Sequence, residues 1–377
     1  MVETFNEDLA NSMEKNRTKA LLLGSQSEIL TTNAFMTKTG KTGILLVNLG
    51  TPDSTATGDV RKYLREFLMD GRVIDIPYIN RWLLINLIIA PFRAPKSAHE
   101  YRKLWTDRGS PLLFHTEDLR DRLLEKLDPK QYKVAIAMRY QSPSIEAGLE
   151  ELRKAHVTKI IVLPLFPQYA SASTGSVQEK VMGIASTWQI IPDISFISNF
   201  IEHPLFVEAW AERGRAMLEG KAYDKILFSY HGLPERQILK GSVDGYCQLG
   251  SCCNKYGAKN HYCYRAQCFQ TTRLIAGKLG IPEEKTVNCF QSRLGKDPWV
   301  KPYTDEVISE LAAQGVKKVL AFSPAFVADC LETTVEVAGE YRDKFLELGG
   351  EEWDLVPSLN SEDTWVECVK AMVLEHS

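Results

Sequence analysis

Lys225-Ile226-Leu227-Phe228-Ser229-Tyr230-His231-Gly232-Leu233-Pro234-Glu235-Arg236 is the stretch from which the rest of the chain can be read. Ile226 to Phe228 is an apolar run of strand length, and Gly232 and Pro234 punctuate its end. His231 is therefore predicted just past the carboxyl end of a buried strand, the rim at which open α/β sheets bind ligands. A plainer reading makes it a histidine satisfied by backbone hydrogen bonds in a tight turn.

An earlier stretch carries the same signature. The apolar strand from Thr42 ends in Asn48-Leu49-Gly50-Thr51-Pro52, which matches Tyr230-His231-Gly232-Leu233-Pro234 position for position: polar residue, any residue, Gly, any residue, Pro. A longer pairing sets Ile145 to Leu152, followed by Val157 to Pro164, against Val307 to Leu311, followed by Val316 to Pro324. Each is an amphipathic helix with apolar residues three to four apart, then a short turn, then an apolar strand ending at proline. Matching units in matching order predict a duplicated α/β fold, with parallel strands and helices on both faces. The expected architecture is two similar doubly wound parallel-sheet lobes facing across a cleft, a favoured place for a ligand. The predicted boundaries are a poorly ordered tail over 1–41 with a short helix near Lys19 to Leu23, a first lobe over 42–187, a crossover over 188–223 and a second lobe over 224–377. The helix Asp363 to Glu375 is expected to fold back across the join.

Composition narrows the functional classes. At 377 residues, 44% hydrophobic and 25% charged, the chain has the balance of an ordinary globular protein. A net charge of −3 lacks the basic footprint of a nucleic-acid binder. No apolar run approaches the ~18 residues of a membrane span. The first 41 residues show no secretory pattern, so a cytoplasmic protein with reduced cysteines is expected. Residues 74–95 are unusually apolar, and the run from Trp82 to Phe92 is bracketed by Arg81 and Arg93. Two readings stand for it: a buried core helix, or an apolar lip that handles a flat hydrophobic ligand or touches a membrane surface.

Chemistry gathers at the expected strand ends. In Asp329-Cys330-Leu331-Glu332-Thr333-Thr334-Val335-Glu336, a helix starting near Asp329 would stack Asp329, Glu332 and Glu336 on one face. Acids so placed repel unless solvated, paired or sharing a proton. A solvated helix start with acids matched to its dipole is the simpler account. With His231 nearby, the same groups could bind a divalent metal weakly or move protons. The first half's rim, Pro167-Gln168-Tyr169-Ala170-Ser171-Ala172-Ser173-Thr174-Gly175-Ser176, is rich in hydroxyls, and Arg139-Tyr140 ends a strand from Val134. No phosphate-cradling glycine loop follows any candidate strand, so nucleotide binding is unsupported.

Together these stretches resemble the ferrochelatases, which insert ferrous iron into a porphyrin. The resemblance runs from Thr42 to about Asn360. It rests on Leu46-Val47-Asn48-Leu49-Gly50-Thr51-Pro52, Arg139-Tyr140, Pro167-Gln168-Tyr169-Ala170-Ser171, Ser229-Tyr230-His231-Gly232-Leu233-Pro234, Phe290-Gln291-Ser292-Arg293-Leu294-Gly295 through Pro298-Trp299, and Asp329-Cys330-Leu331-Glu332-Thr333. It implies chelatase-like lobes, protoporphyrin IX and Fe²⁺ as substrates, and haem with two released protons as products. By the same resemblance His231 and Glu332 would face each other as the essential pair, handling the substrate iron, and Glu336 would extend the acidic path. Arg139, Tyr140, Tyr169 and Trp299 would line the macrocycle pocket, with Leu49 near the porphyrin face. Residues 78–92 would form the pocket lip and could make peripheral contact with the inner face of the membrane. Some relatives carry a second histidine where this chain has Cys330, so no histidine role is inherited there. A cobalt or nickel chelatase for another tetrapyrrole, and a non-catalytic porphyrin-binding sensor, are the competing functions.

Five of the eight cysteines fall in an insertion over 245–270, spaced Cys247-x4-Cys252-Cys253-x9-Cys263-x4-Cys268. A reducing compartment disfavours disulfides, and the C-x2-C pairs usual for structural zinc are missing. Two C-x4-C pairs suit iron–sulfur ligation. Some ferrochelatases carry such an insertion after the histidine strand, which implies a [2Fe–2S] cluster on four of these five thiols, with the spare expected in the Cys252/Cys253 pair.

Overall fold

The computed structural model describes residues 40–377 apart from Leu294 and Lys296; most of the expected N-terminal tail, including Lys19 to Leu23, lies outside them. Among the described residues, eight strands form two four-stranded sheets. The first comprises β1 (Lys41–Gly50), β2 (Tyr132–Tyr140), β3 (Val157–Pro164) and β4 (Asp193–Phe196), in the order β2-β1-β3-β4. The second comprises β5 (Lys225–His231), β6 (Thr286–Gln291), β7 (Lys318–Phe322) and β8 (Glu352–Leu355), in the order β6-β5-β7-β8. The two orders are the same permutation, and the pairs β1–β2, β3–β4, β5–β6, β5–β7 and β7–β8 are parallel. The duplication inferred from the sequence is thus a duplication of topology. Short edge strands β4 and β8 escape the apolar pattern because most of their residues are only partly buried.

The connecting helices are α1 (Thr57–Met69), α2 (Tyr78–Leu83), α3 (Ala90–Leu104), α4 (Pro111–Glu125), α5 (Ile145–Lys154), α6 (Ser176–Ala185) and α7 (Pro204–Leu218). After β5 come α8 (Glu235–Lys240), α9 (Tyr264–Leu279), α10 (Thr304–Ala313), α11 (Tyr341–Glu347) and α12 (Asp363–Glu375). Local chemistry explains their limits where the signal is clear: the Ser144 hydroxyl caps α5 by accepting from the Ala147 amide at 3.1 Å, and Pro111 and Pro204 open α4 and α7, where a missing N–H costs nothing.

Strand alternation divides the core. Ile44 and Leu46 of β1 join Ile161 and Leu163 of β3 in one buried cluster, while Leu45, Val47, Ile160 and Val162 turn into another. In the second sheet Ile226, Phe228, Leu320 and Phe322 enter that same first cluster, while Leu227, Val319 and Ala321 face away from it. One face of each sheet therefore feeds a common core, which α4, α7, α9 and α12 complete through Leu119, Trp210, Ile275 and Trp365. Full burial of each such side chain contributes roughly 2 kcal/mol. Helix α12 closes the join as well, through ion pairs from Arg122 to Asp363 and from Lys126 to Glu367, the latter at 2.7 Å. Thr42–Ser377 is a single compact unit.

The matched glycines explain the shared Gly-x-Pro signature. A Cβ on Gly50 would sit 2.1 Å from the Tyr140 carbonyl oxygen, at a φ of +120°, and one on Gly232 would sit 2.8 Å from the Gln291 carbonyl oxygen. Both rims need a backbone that passes hard against the neighbouring strand's end. We expect Gly50→Ala to cost roughly 3 kcal/mol of stability, from clash and backbone strain together. Gly183→Ala, on α6 with open space around it, should be neutral or stabilising by about 0.5 kcal/mol. Thermal melts of the two variants check the contrast, and equal melting temperatures would refute it.

Candidate active site

His231 is the last residue of β5 and pairs across the ladder with Gln291, the last of β6. Its Nδ1 lies 2.6 Å from the Gly232 carbonyl oxygen. A carbonyl can only accept, so Nδ1 carries a proton, and in the neutral imidazole the lone pair is then on Nε2. The Trp299 ring stands 6.5 Å away, held by a backbone bridge to Pro234. The turn reading of this histidine is what the structure shows: the backbone bond fixes Nδ1 as the donor.

Gln291 links this imidazole to the acids. Its side-chain amide donates to the Glu336 carboxylate at 3.3 Å and to the Glu332 carbonyl oxygen at 3.5 Å, while the Ser292 hydroxyl donates to the same Glu336 oxygen at 2.6 Å. Glu332 and Glu336 lie on a π-helix, Glu332–Glu340. Its widened turn still leaves residues four apart close to one line, and π turns of this kind are frequent at functional sites. The expected three-acid stack is corrected here. The helix starts too late to include Asp329, whose carboxylate accepts from the Asn360 amide at 2.9 Å while its own N–H donates back to Asn360 Oδ1 at 2.9 Å. Asparagine satisfies both groups and holds that residue outside the helix.

Burial and the neighbouring Glu332 charge push the Glu336 carboxyl up to about 7, against the Ser292 hydrogen bond and the more distant Arg93 guanidinium. Around the pair the wall is apolar. Tyr63, Tyr101, Tyr140 and Val335 share a buried cluster, against which Leu49 and Leu331 also pack. Leu49 from β1, Tyr140 from β2 and the residues flanking Glu332 therefore belong to one lining. Tyr63 and Tyr101, edge to face at 6.1 Å, feel the Glu332 charge, and burial above all holds both phenols protonated. Sequence inspection does not single these tyrosines out: each is one more apolar position on its helix, and only the approach of α1 and α3 to the π-helix gives them a role.

Arg139 and Tyr140 are built into a network. The Arg139 guanidinium donates to Asp70 and to Ser176 Oγ, each at 2.6 Å, and lies 4.5 Å over the Tyr140 ring. The Tyr140 hydroxyl donates to Asp70 at 2.9 Å, and Ser176 also bonds Asp70. Burial works to raise the Asp70 carboxyl, but Ser176, the Arg72 amide and Arg139 outweigh it and hold it below its ordinary value. Tyr169 lies elsewhere, its amide donating to Gln267 at 2.7 Å and its ring meeting Tyr262 at 5.2 Å, beside the cysteine-bearing segment.

The apolar stretch is largely exposed, so it is not a buried core helix. It folds as α2, a π turn (Leu84–Ile89) and the start of α3. Ile85 and Ala90 are buried, but Ile79 is 71% exposed, Leu87 57% and Phe92 80%. No helix among the described residues is long and apolar enough to cross a membrane.

Comparison with known proteins gives the family and the fold. The Ferrochelatase family model matches residues 41–377. The chain belongs to the ferrochelatase family. It is 44% identical to the ferrochelatase of Legionella pneumophila (strain Lens) over 333 residues, 88% of this chain and 98% of that protein. To the ferrochelatase of Coxiella burnetii (strain Dugway 5J108-111) it is 43% identical over 337 residues, 88% of this chain and 93% of that protein. Among solved structures it shares its fold with SirB from Bacillus subtilis with Fe3+, at a TM-score of 0.50 and 14% identity, over 89% of this chain and 95% of that one.

The raised Glu336 carboxyl makes a stability prediction. Its proton is held more tightly in the folded chain, so its contribution is fully present below pH 4.5 and is lost as pH rises toward about 7. Glu336→Gln removes that loss. Melting temperatures should coincide at pH 4.5, and above pH 7 the variant should be the more stable by on the order of 2 kcal/mol. A pH-independent difference would refute the assignment.

Proposed function

We propose that this chain inserts ferrous iron into protoporphyrin IX, releasing two protons and yielding haem. The observation that carries the proposal is Gln291, paired with His231 on one side and bonded to Glu336 and the Glu332 backbone on the other, at the edge of an apolar wall. The family and its 44%-identical relative supply the reaction class.

The free-base macrocycle must give up two pyrrole protons while the ion sheds water, and it presents its nitrogen lone pairs only when bent, so binding energy is best spent on a distorted ring. His231 would accept a pyrrole proton, or offer a lone pair to the incoming iron, through Nε2 of its neutral form. Glu332 would take the proton next, and Glu336, poised near neutrality, would carry it onward along the π-helix. A histidine–carboxylate pair suits an ion that must leave again. Leu49 and Trp299 would contact the macrocycle, and Arg139 and Tyr140 would stiffen its wall through Asp70. Tyr169, packed against Tyr262 beside the cysteine-bearing segment, is not assigned to the macrocycle.

We further propose that four of Cys247, Cys252, Cys253, Cys263 and Cys268 hold a [2Fe–2S] cluster. All five are free thiols, the Cys252 and Cys253 sulfurs lie 3.9 Å apart, and Cys247 and Cys263 line the same cavity, a donor set that thiolate ligation of such a group needs. Such a group supplies one-electron or sensing chemistry, and the metal insertion itself transfers no electrons. The exposed residues of 78–92, flanked by Arg81 and Arg93, are proposed to rest peripherally on a membrane face that delivers the hydrophobic ring, the rest of the chain remaining in the cytoplasm.

Formation of fluorescent zinc porphyrin tests the reaction. His231→Ala and Glu332→Gln should each lower turnover by at least about 100-fold while porphyrin binding, read by Soret shift, persists. Wild-type protein that binds porphyrin without turnover would overturn the enzyme reading in favour of a sensor. For the lip, Ile79→Asp with Phe92→Asp should abolish co-sedimentation with anionic vesicles and leave turnover on detergent-dispersed porphyrin intact; undiminished co-sedimentation would refute the membrane contact.

A further inference from the structure

Five thiols are present for four places, and a cavity separates them. A space of about 430 Å³ lies between the first-lobe rim at Tyr169 and the cysteine-bearing segment, and Cys247, Cys252, Cys253 and Cys263 all line it. Cys268 does not. It sits on α9 at 0% exposure, inside the common core that also contains Tyr230 and Tyr264.

We propose that the cluster ligands are Cys247, Cys252, Cys253 and Cys263, and that Cys268 is a core thiol. The assignment rests on the cluster reading above and reverses the expectation that the spare thiol belongs to the Cys252/Cys253 pair. Those neighbours are not alternatives: their sulfurs are 3.9 Å apart on the short turn Ser251–Cys253, and both line the cavity. The sulfurs of Cys252 and Cys253 are in contact, and Cys247 and Cys263 face the same cavity, so the four thiols surround one space. The surroundings suit an anionic group. The Gln248 amide donates to the Cys252 sulfur at 3.5 Å, and Arg265, whose guanidinium bonds the Gly250 carbonyl at 3.3 Å, lies beside the Cys253 thiol.

The test uses full-length protein purified anaerobically, with iron and acid-labile sulfide assays and visible absorbance before and after dithionite. Wild type should carry equal iron and sulfide. Cys268→Ser and Cys268→Ala should retain both, whereas Cys247→Ser, Cys252→Ser, Cys253→Ser and Cys263→Ser should each lose the visible bands and the sulfide. Circular dichroism and porphyrin binding establish that each variant is folded. If the Cys268 variants do not fold, the remaining four still decide: any one of them that stays fully loaded overturns the assignment. A loaded wild type with empty, folded Cys268 variants overturns the ligand set but leaves the cluster standing. Wild type with zinc, or with neither iron nor sulfide, overturns the cluster and this assignment with it.

Discussion

Keeping two carboxylates four residues apart on one helix, in a wall made otherwise of tyrosine, leucine and valine, is the constraint that shapes the active-site side of this molecule. Each charge resists desolvation and its neighbour's field, and the conflict is met by giving Glu336 a carboxyl that holds a proton near neutrality. Ser292 and Gln291 then hold that carboxyl in place from the end of β6. The price is a site that is less stable once fully ionised.

The duplicated topology puts its two rims to different uses. Both pass a glycine against the end of a neighbouring strand, at Gly50 and Gly232. In the first sheet the surrounding polar groups are spent on one another, with Asp70 collecting Arg139, Tyr140 and Ser176 into a closed network. A fully bonded buried network of that kind stiffens its surroundings and leaves little free chemistry. In the second sheet the equivalent turn holds His231 through a single backbone hydrogen bond at Nδ1. One rim is closed into a network and the other is not, and one face of each sheet feeds the same core.

Two further features lie outside that centre. The helices from Tyr78 expose large apolar side chains beside the cluster that contains Leu49 and Tyr140, so a hydrophobic ring could pass from an apolar surface to an apolar wall with little re-exposure to water. The cysteine-bearing segment is tied to the opposite rim, where Gln267 accepts from the Tyr169 amide and Gln168 donates to Thr271 at 3.0 Å. Changes in that segment therefore have a short mechanical route to the first lobe.

The fold was legible wherever burial on both faces leaves a continuous apolar run: β3 and α12 have the limits the pattern predicts, Val157–Pro164 and Asp363–Glu375. It was illegible at β4 and β8, whose partial burial erases the run. That His231 ends a strand and that Glu332 and Glu336 share a helix was legible because such positions follow from local periodicity. Asp329 could not be excluded, since its removal from the helix depends on Asn360, 31 residues away. Tyr63 and Tyr101 were invisible for the same reason: facing Glu332 is a property of how helices cross. Whether the stretch from Trp82 is core or surface, and which thiols share a cavity, were likewise questions of what covers what. Linear pattern specifies which residues want burial or a turn; long-range contact alone decides which of them meet.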